Sequence, residues 1–181
     1  MCVKKILIIA GIFILSSGQA MPPYKVLQTC KDQKPYNENI TYRELGDMHF
    51  TQANDPECED KIYNIGETKD EFFQYRFCEK DYLVIHGKDV DISKAMDLSV
   101  TGVVYPHYLI PHASSWSKIT YENQAYLCIS GPLSQSGYGA ANLQYYIIEH
   151  AFDFDAPPSL YFYFFNKNIH SWIASHEKRP D

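Results

Sequence analysis

Four cysteines, Cys30, Cys58, Cys78 and Cys128, stand downstream of an N-terminal segment with the pattern of an export signal, and this combination constrains the fold more than anything else in the chain. Lys4 and Lys5 open the segment, Ile6 to Leu15 form an apolar run, and Gly18 and Ala20 supply the small residues that signal peptidase requires. Cleavage after Ala20 removes Cys2, the fifth cysteine, and leaves an even set, the mark of disulfides formed in an oxidising compartment. The apolar run is too short to span a bilayer as a helix, and no second long apolar segment follows it. The sequence therefore reads as a signal peptide over residues 1–20 and a single domain over residues 21–181. That domain is expected to be secreted or periplasmic, with no transmembrane segment in the mature chain.

None of the four cysteines sits in a C-x-x-C pair, so the spacing points to structural bridges rather than a redox site or a zinc knuckle. Three pairings are open. The one preferred here joins Cys30 to Cys58 and Cys78 to Cys128, because each bridge would then tie an expected strand to a neighbour. Removing the leader from 181 residues leaves 161, long enough to bury most of the chain's surface, so the bridges reinforce a core and do not replace one.

The material for that core is aromatic. Fifteen Tyr and ten Phe fall largely in short runs with β-branched residues, which suit a pleated, half-buried surface. The formal charge of −6 becomes −8 once Lys4 and Lys5 leave with the signal, and no Lys/Arg block remains. Nucleic acid and anionic membrane surfaces, both of which need clustered cations, are thereby disfavoured as partners.

Strands are expected at Tyr24–Cys30, Ile40–Leu45, Lys61–Ile65, Phe72–Cys78, Tyr82–His86, Ser99–Tyr105, around Ala125–Ile129 and at Leu160–Phe165. Asp91 can cap a short helix running to Leu98. Leu143, Tyr146, Ile147 and His150 recur at helical spacing in a stretch free of Pro and Gly, which predicts a helix over about 140–151. Asn166–Lys167–Asn168 reads as a turn into a last strand, Ile169–Ala174. The sum is a β-rich α+β fold: a single compact domain with a mainly antiparallel sheet, one substantial helix and two disulfides.

No complete catalytic constellation is present. His107 and His112 flank Tyr108 in an irregular stretch between Pro106 and Trp116, at a spacing that places two imidazoles together on neither a helix nor a strand. There is no H-E-x-x-H, and no metal or other cofactor is implied. Asp89/Asp91 and Asp153/Asp155 share a side of an extended chain but lack the further ligands of a calcium loop. Ser134 and Ser136, in the glycine-rich segment Gly131–Gly139, miss the G-x-S-x-G elbow of a nucleophilic serine. Asn39–Ile40–Thr41 is an N-glycosylation sequon. The two irregular segments are the expected binding surfaces, with His107, Tyr108, His112, Ser134, Ser136 and Tyr138 as ligand contacts. The function read from the sequence is an exported binding or interaction protein for an unidentified protein or small molecule. The alternatives are a small secreted hydrolase pairing His107 or His112 with an acid such as Asp153, or a structural component of envelope assembly.

Overall fold

Side chains that alternate between two buried faces organise this molecule. A computed structural model describes residues 21–46, 49–51, 62–66, 71–77 and 80–169. Within them the chain forms α1 (Tyr24–Asp32), β1 (Ile40–Glu44), β2 (His49–Thr51), β3 (Ile62–Ile65), β4 (Phe73–Phe77), β5 (Asp81–Ile85) and β6 (Lys88–Asp91). It continues through β7 (Met96–Asp97), β8 (Ser115–Tyr121), β9 (Gln124–Pro132), β10 (Leu143–Glu149) and β11 (Ser159–Phe164). Six strands form one sheet in the order β1-β8-β9-β10-β11-β7, antiparallel except for the short β11–β7 pair. The other sheet is a meander of five consecutive antiparallel strands, β2 to β6. The β-rich, mainly antiparallel class expected from the sequence holds.

The central strands of the larger sheet are buried on both sides. Leu127, Ile129, Tyr146, Ile148, Phe162 and Phe164 face the meander, where Ile65, Phe73, Leu83 and Ile85 meet them in one core. The intervening residues Cys128, Tyr145, Ile147, Tyr161 and Tyr163 face the opposite way, onto Val26 and Cys30 of α1. The layers are thus helix, six-stranded sheet and five-stranded sheet. A strand covered on both faces has no polar alternation to display, and it reads as a continuous apolar run.

That double burial corrects the helix expected at 140–151. Gly137–Ala141 form a short 3-10 turn, and Leu143–Glu149 are strand β10, paired with β9 and β11 along their length. Leu143 and His150, the ends of the supposed helical stripe, lie outside the core, so the i, i+3, i+4, i+7 match was coincidental. Tyr145–Ile148 are all buried because alternate residues serve different layers.

The substantial helix among the described residues is α1, where a strand was expected. Pro23 precedes its first turn, and the Val26 and Leu27 amides bond to the Pro23 carbonyl. A proline at this position sacrifices no helical hydrogen bond and has a φ already set for entry. Gln33, with φ 52° and ψ 37°, closes the helix in a left-handed cap. Val26, Thr29 and Cys30 share its buried face.

Cys30 on that face is bonded to Cys128 of β9. The bridge staples helix to sheet, and it overturns the preferred pairing of Cys30 with Cys58 and Cys78 with Cys128. Because Tyr24–Cys30 is a helix laid across the sheet, its cysteine meets the outward residue of the strand beneath it. Cys58 and Cys78 lie outside the described residues.

Two further expectations change. Val100–Val104 form no strand: the Val100 amide bonds to the Phe164 carbonyl beyond β7, and Gly102, at φ 61°, then turns the chain away. The strand expected around Ala125–Ile129 is present, as one arm of a tight β8–β9 hairpin whose turn residues, Glu122 and Asn123, have φ of 49° and 63°. Both positive values belong to a type I′ turn, whose twist matches that of the strands. Asp91 does cap, accepting from the Ser93 amide at 3.0 Å, but the helix it begins is a 3-10 turn of three residues. The expected strand Ile169–Ala174 lies outside the described residues except for Ile169, which is buried and not in a strand.

Candidate functional site

Asp81 opens β5, opposite Phe77 across the β4–β5 hairpin. Period-2 alternation puts it on the side of Leu83 and Ile85, the core side, and its residue is only 4% exposed. Its Oδ2 meets no hydrogen-bond donor among the described residues. Burial raises the carboxyl above the usual aspartate range; the Tyr75 hydroxyl, the nearby His107 and the Leu109 amide pull it back but do not cancel the rise. An ionised carboxylate in such a place is costly unless something completes its hydrogen bonding.

That carboxylate lines a cleft of about 420 Å³. Tyr63 of β3 with Tyr75 and Phe77 of β4 form one side, and the backbone and side chains of Tyr108 to His112 form another. Ser134 and Gln135 supply a lip. The walls are therefore mainly aromatic and aliphatic, as is usual for small-molecule sites. No Lys or Arg is among the lining residues.

Two buried polar side chains hold the wall in place. The Tyr75 hydroxyl donates to the Leu109 carbonyl at 3.1 Å and accepts from the Leu109 amide at 3.2 Å, so one phenol satisfies both backbone groups of a loop residue. Burial, and then the neighbouring Asp81, push its ionisation well above the ordinary tyrosine range. Gln144 of β10, 0% exposed, donates from Nε2 to the Tyr108 carbonyl at 3.1 Å and to that of Pro132 at 3.4 Å. A single amide thus ties together the two irregular segments that flank the cleft. Tyr146, buried just behind, has its hydroxyl raised by burial in the same way.

The six residues expected as ligand contacts divide. Tyr108, His112 and Ser134 line the cleft. The Ser134 hydroxyl donates to the Ser136 carbonyl at 2.7 Å, so it shapes its own turn. His112 is exposed, its ring 6.5 Å from that of Tyr63. His107, Ser136 and Tyr138 are not among the lining residues. His107 donates from Nδ1 to the Tyr105 carbonyl at 2.8 Å and packs its ring edge-on to Tyr108, 4.3 Å between centroids. Ser136 is exposed and precedes the 3-10 turn without capping it. The Tyr138 hydroxyl accepts from Asn166 at 3.3 Å, and its carbonyl accepts from Asn142 at 2.7 Å.

Asp153 is brought to neither His107 nor His112. It sits between β10 and β11, 3.5 Å from His150, near the turn of the β8–β9 hairpin. The cleft is at the other end of β8, a strand of seven residues and so about 23 Å long. Among the described residues no three His, Cys, Asp or Glu side chains converge as a metal ion would need. No helix among them is long and apolar enough to cross a membrane.

Asp81, Tyr75 and Gln144 were missed by sequence reasoning. Asp81 carried a signal: it stands two and four residues before the inward-facing Leu83 and Ile85. Starting the strand at Tyr82 placed it in a turn. What the arrangement offers chemically is recognition, with one buried acceptor, several aromatic faces and a rigid frame. No protein-family model, curated protein or solved structure matches this chain.

Proposed function

We propose that this is an exported, disulfide-stabilised binding protein, periplasmic or secreted, whose ligand seats in the Asp81 cleft. The observation that carries the reading is the convergence of both irregular segments on a concave, aromatic-walled site held by buried hydrogen bonds. Frames of this kind keep a site in shape before the ligand arrives and so lower the ordering cost of binding. The export signal and the Cys30–Cys128 bridge support an oxidising compartment.

The site is tested by titrating the purified exported protein with neutral aromatic fragments, p-cresol and indole, while following tyrosine ring resonances. Shifts confined to Tyr63, Tyr75 and Tyr108, and weakened by Tyr108→Ala, are the expected result. Shifts scattered over the surface, or none, would refute the cleft as the binding site. N-terminal sequencing of the exported chain should begin at Met21; a chain that retains residues 1–20 contradicts the export reading.

A further inference from the structure

We infer that the cleft takes a small organic ammonium ion that still carries an N–H, a primary or secondary amine, with its nitrogen on Asp81 Oδ2 and its carbon skeleton against the tyrosines. This inference rests on the cleft being the binding site and adds the class of ligand. Three observations converge on it. Asp81 is 4% exposed and is one of the residues lining the cleft, and its buried Oδ2 has no hydrogen-bond donor among the described residues. Most buried acceptors in native proteins are satisfied, and of the unpartnered buried atoms among the described residues Asp81 Oδ2 is the one whose residue lines the cleft, so a ligand there can supply its donor.

The second observation is charge. No Lys or Arg is among the described residues that line the site, and none of the ion pairs among the described residues includes Asp81. An anionic ligand would enter against a carboxylate with only the imidazoles of His107 and His112 nearby to offset it. The third is the wall. Tyr63, Tyr75, Phe77 and Tyr108 offer ring faces whose quadrupole attracts cations. The net charge of the mature chain, −8 on removing Lys4 and Lys5 from the total of −6, adds a longer-range attraction of the same sign. A cavity of about 420 Å³ lies in the range of small-molecule sites. A quaternary ammonium satisfies the charge and the rings but leaves Oδ2 without a donor, and a neutral alcohol supplies the donor without the charge. A primary amine does both.

The test uses three matched probes on the purified exported protein at neutral pH: 2-phenylethylamine, N,N,N-trimethyl-2-phenylethylammonium and 2-phenylethanol. Calorimetry gives affinities, and tyrosine ring shifts locate each probe. The amine should bind at least tenfold more tightly than either of the others and shift the Tyr63, Tyr75 and Tyr108 rings. Asp81→Asn should remove that preference. Because the comparison is made on the wild-type chain, it stands whether or not the variant folds. If the alcohol binds in the cleft as well as the amine does, the cation inference is overturned while the cleft stands as a binding site. If the quaternary ion equals the amine, the Oδ2 donor argument is overturned. If no probe reaches the cleft tyrosines, both this inference and the cleft reading fail together.

Discussion

Replacing Cys30 and Cys128 together by Ala tests the most consequential contact in the fold. The two are 98 residues apart in sequence, and the loop they close contains the whole five-stranded sheet and β8. In the chain-entropy account, a cross-link closing a loop of that size lowers the entropy of the unfolded chain enough to stabilise the native state by about 4.7 kcal/mol. Both sulfurs are buried between α1 and β9, so alanine introduces no polar group there and leaves only a small void. For a domain of this length each kcal/mol moves the melting temperature by about 2–4 °C, which places the expected loss at about 10–20 °C. Urea titration followed by circular dichroism measures the free energy, and the slope of the transition should steepen because the variant's unfolded chain exposes more surface. Peptide mapping without reductant supplies the companion result, a Cys30–Cys128 peptide. A loss below about 1 kcal/mol with an unchanged slope would refute the reasoning, as would a map joining either cysteine to another partner.

Three further outcomes follow from single side chains. Asp81→Asn should stabilise the protein at neutral pH, with the gain closing as pH falls toward 4: the folded carboxyl titrates above its unfolded value, so the stability that comes with protonation is present at low pH and lost as pH rises. Urea midpoints of both proteins at the two pH values measure it, and a variant less stable than wild type at neutral pH would show that the charged carboxylate is well paired. Gln144→Leu keeps volume but strands the Tyr108 and Pro132 carbonyls; it should cost about 1–3 kcal/mol and speed amide exchange at Leu109, whereas unchanged exchange would mean the loop is held otherwise. Gly66→Ala should destabilise by at least about 1–3 kcal/mol in thermal melts, since φ of 91° disfavours a side chain and the new Cβ would collide with the Glu71 carbonyl; a neutral effect would place that turn elsewhere.

Much of the fold was legible where one face of a strand meets water. Ile40–Glu44 and three strands of the meander, Ile62–Ile65, Phe73–Phe77 and Asp81–Ile85, show mixed burial along their length, and each fell close to its expected place. His49–Thr51 and Lys88–Asp91, by contrast, were not expected as strands. Legibility failed where both faces are covered. Along Tyr145–Ile148 the pattern distinguishing strand from helix vanishes, because residues facing α1 and residues facing the meander are equally apolar. Tyr24–Cys30 failed for another reason: its length and aromatic start suit a strand, and only the proline pair before it pointed to a helix. At the cleft, loop composition pointed to two segments that border it, and with them to Tyr108, His112 and Ser134, which line it. It could not locate Gln144 or Tyr75, whose roles depend on partners 36 and 34 residues away in sequence.

The paired hydrogen bonds between the Tyr75 hydroxyl and Leu109 have an evolutionary consequence. A phenol that both donates and accepts does the work of a neighbouring strand's backbone, and at Leu109 it grips both main-chain groups of one residue. Gln144 grips the Tyr108 carbonyl in the same way. The segment is therefore anchored by its peptide groups and by the core packing of Leu109, while the Tyr108 and His112 side chains are less buried. Substitutions at positions 108 and 112 can then change the lining of the cleft without releasing the loop that carries them. The arrangement separates the positions that keep the loop's shape from those that face the cleft, so drift in one need not erode the other.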